Sequence, residues 1–140
     1  KALPKMAKAA TNPELRQAFE KHLAHPQEQV RRLEQVFESL EEKPKGKTCH
    51  AMKGLIEEGG EAIKEDSEAN VKDAALIAAA QRVEHYEIAA YGTVRAYALQ
   101  LGHKSAAQIL DKTLQEEGDT DKLLTKIALS HINQMAESAA

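Results

Sequence analysis

Apolar residues recurring at steps of three and four mark the helices of this chain, and in two of them the pattern is broken at its centre. One stripe runs Ile77, Ala80, Glu84, Glu87, Tyr91, Val94, Ala98 and Leu101; another runs Ala107, Leu110, Leu114, Glu117, Asp121, Leu124, Ala128, Ile132 and Met135. Both therefore place carboxylates where core side chains belong. The first stripe predicts a helix over residues 71–100, stopped by Gly102 just past its last turn. The second predicts a helix over residues 105–135, opened by Ser105 and Gln108 as a capping box.

Upstream, Phe19, Leu23, Val30, Leu33, Phe37 and Leu40 predict a helix from Pro13 to Leu40, capped by Asn12, with His22, His25 and Gln29 along one edge. Pro26 in its middle predicts a kink or a break. Ala2, Leu3, Met6 and Ala9 already follow helical spacing with no capping residue before them, so the chain is expected to start inside a helix whose N-terminal part is missing. Between Glu41 and Asp66, the run Lys43-Pro44-Lys45-Gly46-Lys47 reads as a solvated turn and Gly59-Gly60 as an interruption. A short crossover helix over residues 49–58 fits between them. Strand-like alternation is absent, which makes the expected fold all-α: one domain over residues 1–140, a four-helix bundle of two antiparallel hairpins.

Charge and composition narrow the function classes. A net charge of −3, with Lys and Arg scattered among Asp and Glu, leaves no nucleic-acid footprint. The longest apolar run, Ala74 to Ala80, is too short to span a bilayer, and no leader opens the sequence, so a soluble cytoplasmic protein is expected. The single cysteine, Cys49, excludes an internal disulfide and reads as a small, partly buried apolar residue.

The mid-seam carboxylates carry the chemistry. An unpaired buried carboxylate costs several kcal/mol, and a metal ion is the simplest cation that several of them can share. Candidate ligands are Glu84 and Glu87 on the third helix, Glu117 and Asp121 on the fourth, and His22 and His25 on the second. Glu84 and Glu117 are expected to face each other across the interior of an antiparallel pair. A purely structural reading stays open for each: Glu84 held by Tyr86, Tyr91 or an arginine, Glu117 and Asp121 held by protein groups, Glu87 at the seam's edge, the histidines as ordinary polar residues. Gln29 reads as a hydrogen-bond donor to a neighbouring carboxylate.

Three stretches, residues 2–10, Met52 to Gly59 (MKGLIEEG) and above all Asp73 to Ala89 (DAALIAAAQRVEHYEIA), resemble the stress-induced YciE/YciF family of bacterial ferritin-like proteins over essentially the whole chain. The resemblance implies a ferritin-like bundle, often dimeric, with a two-metal carboxylate centre of iron or manganese. It assigns Glu84 as the helix 3 glutamate and Glu116, Glu117 and Asp121 as the helix 4 acidic cluster. Where the family has Glu and Thr in helix 2, this chain has His25 and Pro26, and the helix 1 glutamate would precede Lys1. Imidazole binds one ion per nitrogen where a carboxylate bridges two, so partial occupancy is expected. The implied function is a stress-response protein handling iron or peroxide, with non-haem oxidase-like or peroxidase-like activity. The alternative is a non-catalytic structural or partner-binding stress protein without bound metal. A homodimer is expected, with the N-terminal region at or near its interface.

Overall fold

The computed structural model describes residues 3–22 and 25–139, the side chain of Leu3 excepted; Ala2 of the N-terminal helical pattern and Leu23 of the Phe19–Leu40 stripe fall outside the described residues. In chain order the helices are α1 (Leu3–Ala9), α2 (Pro13–His22), α3 (Pro26–Ser39), α4 (His50–Lys64), α5 (Ala69–Gln100) and α6 (Lys104–Ile127). A π-helical turn (Ala128–Ile132) then leads into α7 (Asn133–Ala139). The fold is an all-helical bundle, with no strand among the described residues. None of these helices is long and apolar enough to cross a membrane.

The long helices α5 and α6 run antiparallel because Gly102 turns the chain between them. Its φ of +80° lies in the left-handed region, and the Gly102 and His103 amides donate to the carbonyls of Leu99 and Ala98 at 3.1 and 2.8 Å. Pairing is read from the Arg95–Asp111 ion pair at 2.6 Å near the turn and from Gln81, which donates to Asp121 at 2.8 Å, farther along. The turn already commits Lys104 to α6, with His103 as its cap and no side-chain capping bond. Ser105 is therefore inside the helix, and the expected capping box does not form.

Asn12 caps α2 as predicted, its Oδ1 accepting from the amides of Glu14 and Leu15 at 2.9 and 3.0 Å. Pro26 starts a new helix, so the break is what forms, and the inward seam keeps its register across it. His22, Gln29 and Val36, seven residues apart, turn inward, while Val30 of the predicted apolar stripe is 55% exposed. The crossover helix also differs from expectation. It continues through Gly59 and Gly60 to Lys64, with Gly59 buried beside Ala79 of α5. Cys49 caps it through a 3.4 Å bond from the Met52 amide, and the thiol is exposed, 2.8 Å from the Tyr86 hydroxyl, rather than partly buried.

Two apolar clusters form the interior. The larger joins Met6, Leu15, Phe19, Leu76, Ile77, Leu124, Ile127 and Ile132; the smaller joins Val36, Ala106 and Leu110. The buried polar side chains His22, Gln29, Glu84, Thr113 and Glu117 come from helices that contribute to one or other cluster. A further buried carboxylate, Asp73 of α5, accepts from the Thr11 amide at 2.8 Å, the Thr11 hydroxyl at 2.6 Å and the Asn12 amide at 2.8 Å. It thereby ties the turn between α1 and α2 to the long helix, at the positive end of α2.

Candidate metal centre

His22 at the C-terminal end of α2, Glu84 in the middle of α5 and Glu117 in the middle of α6 converge in the buried interior. One potential ligand atom from each lies within 4.8 Å of the other two. The His22 Nε2 atom is 3.6 Å from Glu84 Oε1 and 3.8 Å from Glu117 Oε2, and all three residues are at most 5% exposed.

The hydrogen bonds around the group define which lone pairs it presents. The Thr120 hydroxyl donates its one proton to the Glu116 carbonyl at 3.0 Å, so it accepts from Nδ1–H of His22, also at 3.0 Å. That fixes the tautomer and leaves the bare Nε2 lone pair toward the carboxylates. Burial lowers the His22 pKa against the pull of Glu117, keeping the ring neutral. Gln29 Nε2 donates to Glu117 Oε1 and, at 3.4 Å, to Glu116 Oε2. The other Glu117 oxygen, Oε2, and Glu84 Oε2 are buried with no hydrogen-bond partner among the described residues. Burial first, then the neighbouring Glu117, pushes the Glu84 pKa up to about 10.

The donor set of this arrangement fits a cation. Two carboxylates and one neutral imidazole offer two negative charges and three donor atoms, a set that suits a divalent transition ion. The orphaned oxygens make the fit: without a cation, Glu84 has to keep a proton.

The remaining predicted ligands lie around this group without joining it. Glu87, one turn on from Glu84, is half-buried, and burial together with Glu117 pushes its pKa up to about 7. Asp121 turns toward α5, where its Oδ1 accepts from Gln81 and sits 3.1 Å from His85 Nε2. His25 packs edge-on against His22, ring centroids 5.9 Å apart, with its Nδ1 buried and unpartnered among the described residues. Glu116 is held by Arg32 through two bonds of 2.7 Å, which keep its pKa below the usual carboxylate value. No tyrosine or arginine holds Glu84 among the described residues; its neighbours are His22 and Glu117. Sequence reasoning missed Thr120 and Arg32, which orient His22 and Glu116. The only signal for Thr120 was its place one turn beyond Glu116 on the same face.

Known proteins bear on this geometry. Residues 1–137 match the family described as Domain of unknown function (DUF892). Protein YciF of Escherichia coli (strain K12) is 50% identical over 141 residues, covering all of this chain and 85% of that protein. The crystal structure of the E. coli stress protein YciF superposes with a TM-score of 0.90 at 50% identity, covering 94% of this chain and 84% of that one. YcfI from Rhodopseudomonas palustris gives a TM-score of 0.85 at 47% identity, over 89% of this chain and 79% of its own. Matching along nearly its full length in sequence and in backbone, the chain belongs to the DUF892 family, that of YciF.

Proposed function

We propose that this chain is a ferritin-like stress-response protein that holds divalent iron or manganese on His22, Glu84 and Glu117. The observation that carries the reading is the pair of buried oxygens without a partner among the described residues, Glu84 Oε2 and Glu117 Oε2, beside the bare Nε2 of a His22 ring whose one proton sits on Nδ1 toward Thr120. An imidazole with two hard carboxylates suits iron and manganese. Bound there, such an ion would supply redox chemistry toward dioxygen or peroxide. The chain's own residues hold and orient the ligands: Thr120 fixes His22, Gln29 fixes Glu117, and the apolar clusters keep water from competing. Glu87, one turn from Glu84, is the group on which the second ion of a two-metal centre would draw.

Plasma mass spectrometry of the purified protein tests this directly. We expect about one iron or manganese per chain, falling at least tenfold in His22→Ala, because loss of a group that merely orients a ligand already costs a metal site about 10–100-fold. Equal, near-zero metal in both proteins would favour the non-catalytic structural alternative.

The homodimer expected from the sequence is part of the proposal, with its face at the Gly102 end of α5 instead of at the N-terminal region, which Asp73 ties to the other end of that helix. Val94, Tyr97 and Leu101 near the end of α5 are 43, 63 and 71% exposed and line or border an apolar groove with Leu33, Val36 and Leu110. Contiguous apolar surface of this kind marks an interaction face. Light scattering should give twice the chain mass at micromolar concentration; a stable monomer throughout that range would contradict the dimer.

A further inference from the structure

Beside the centre, between α2 and α6, lies a cavity of about 170 Å³ that sets the polar side chains of Lys21, His22, His25, Glu116, Asp119 and Thr120 among the apolar surface of Ala18 and Leu123. Liquid water takes about 30 Å³ per molecule, so the space holds five or six waters, roughly the shell of one hydrated divalent ion. His22 belongs to both spaces: its ring lines the cavity, and its Nε2 faces Glu84 and Glu117. His25, also on the cavity wall, has a buried Nδ1 without a partner among the described residues and packs edge-on against His22. That Nδ1 is enclosed away from the cavity, and what His25 offers an ion is its ring on the cavity wall, since imidazole is a ligand for the transition ions that the centre suits.

We propose that this cavity is the vestibule through which a hydrated divalent cation reaches the centre, with His25 as its transfer ligand; the inference rests on the metal reading above. An ion passing into the dry cluster must shed its water, and His25 replaces one water before His22, Glu84 and Glu117 replace others. Glu116 does not trap the ion on the way, because Arg32 already occupies both its oxygens. At the mouth, Lys21 and Asp119 set the local field. A second approach, the groove that reaches Glu87, has mostly apolar walls, among them Leu33, Met52, Ala90 and Val94, which give a cation little in exchange for its water.

Stopped-flow mixing of the metal-free full chain with cobalt(II), followed by ligand-field absorption, separates the path from the site. His25→Ala should lower the association rate about tenfold while the saturated spectrum and the equilibrium Kd stay within twofold of wild type, association and dissociation slowing together. Asp119→Lys, a rim change that leaves the interior intact, should slow loading several-fold at low salt, and Lys21→Glu should speed it. Unslowed loading in both His25→Ala and Asp119→Lys would overturn the vestibule. So would a His25→Ala protein whose affinity and saturated spectrum change, since His25 would then be a ligand. A wild type that never develops the cobalt spectrum would overturn the metal reading, and the vestibule with it.

Discussion

Replacing Asp73 with alanine is expected to destabilise the protein by about 3 kcal/mol, since hydrogen bonds to a charged group contribute about 1.5–3 kcal/mol each and water compensates the part-exposed donors only in part. The carboxylate takes three donors from the turn between α1 and α2 and is 1% exposed, while Thr11 is exposed and Asn12 half-buried, so water recovers only part of what the carboxylate supplies. Against a total stability of about 5–15 kcal/mol for an ordinary domain, that is a large fraction. Asp73→Asn should do less damage, because the amide oxygen still accepts while its NH2 group faces a donor. The consequence reaches the centre: α2 is anchored at one end by this clamp and carries His22 at the other. Denaturant unfolding of the three proteins gives the values, and a loss below about 1 kcal/mol for the alanine variant would show that the turn is held by the α1 and α2 contacts instead.

Glu84→Gln is expected to change stability in opposite directions with and without metal. The folded protein raises the Glu84 pKa from 4.5 to about 10, so folded Glu84 binds its proton more tightly than unfolded Glu84 does. That contribution is full below pH 4.5 and is lost progressively as the pH rises toward 10. Near neutral pH the metal-free protein therefore carries a penalty, and the permanently neutral glutamine should stabilise it by about 2 kcal/mol, a share of the 1.36 kcal/mol per pKa unit that linkage sets. The variant should also flatten the decline of stability between pH 7 and pH 9. With metal at a hundred times its Kd, the wild type gains about 2.7 kcal/mol that a chain lacking a ligand does not. Melting curves with manganese and with chelator would show the two proteins exchanging rank. A Glu84→Gln protein that loses stability equally in both conditions would mean that protein groups, rather than a proton or a metal, hold the carboxylate.

Much of this was legible in the sequence because the signals were local. Gly102 needs the left-handed backbone that it adopts, Pro26 cannot continue a helix, and Glu84 and Glu117 interrupt otherwise apolar stripes at matching distances from the turn. The phase of α3 was not legible. Val30 continued the apolar pattern, but the inward seam keeps a seven-residue step from His22 of α2 across the break, so the polar Gln29 takes the inward position and Val30 faces out. Gly59 and Gly60 looked like an interruption because propensity is a weak prior; the buried side of α4 against α5 outweighs about 1 kcal/mol per glycine. Asp73 carried the same signal as Glu84, a carboxylate in register with Ile77 and Ala80, and was passed over because its donors lie more than sixty residues away. The hydroxyl of Thr120 illustrates a harder limit: nothing in a sequence says which proton a hydroxyl has already given away.

A cation held between His22, Glu84 and Glu117 is directly observable. Anomalous diffraction from crystals grown with manganese, recorded on either side of its absorption edge, tests it most directly. The account predicts a peak about 2.0–2.3 Å from His22 Nε2 and from an oxygen of each glutamate, the usual bond lengths for such ligands. Density showing Glu84 and Glu117 joined by a direct hydrogen bond at saturating manganese, with no anomalous peak between them, would contradict it.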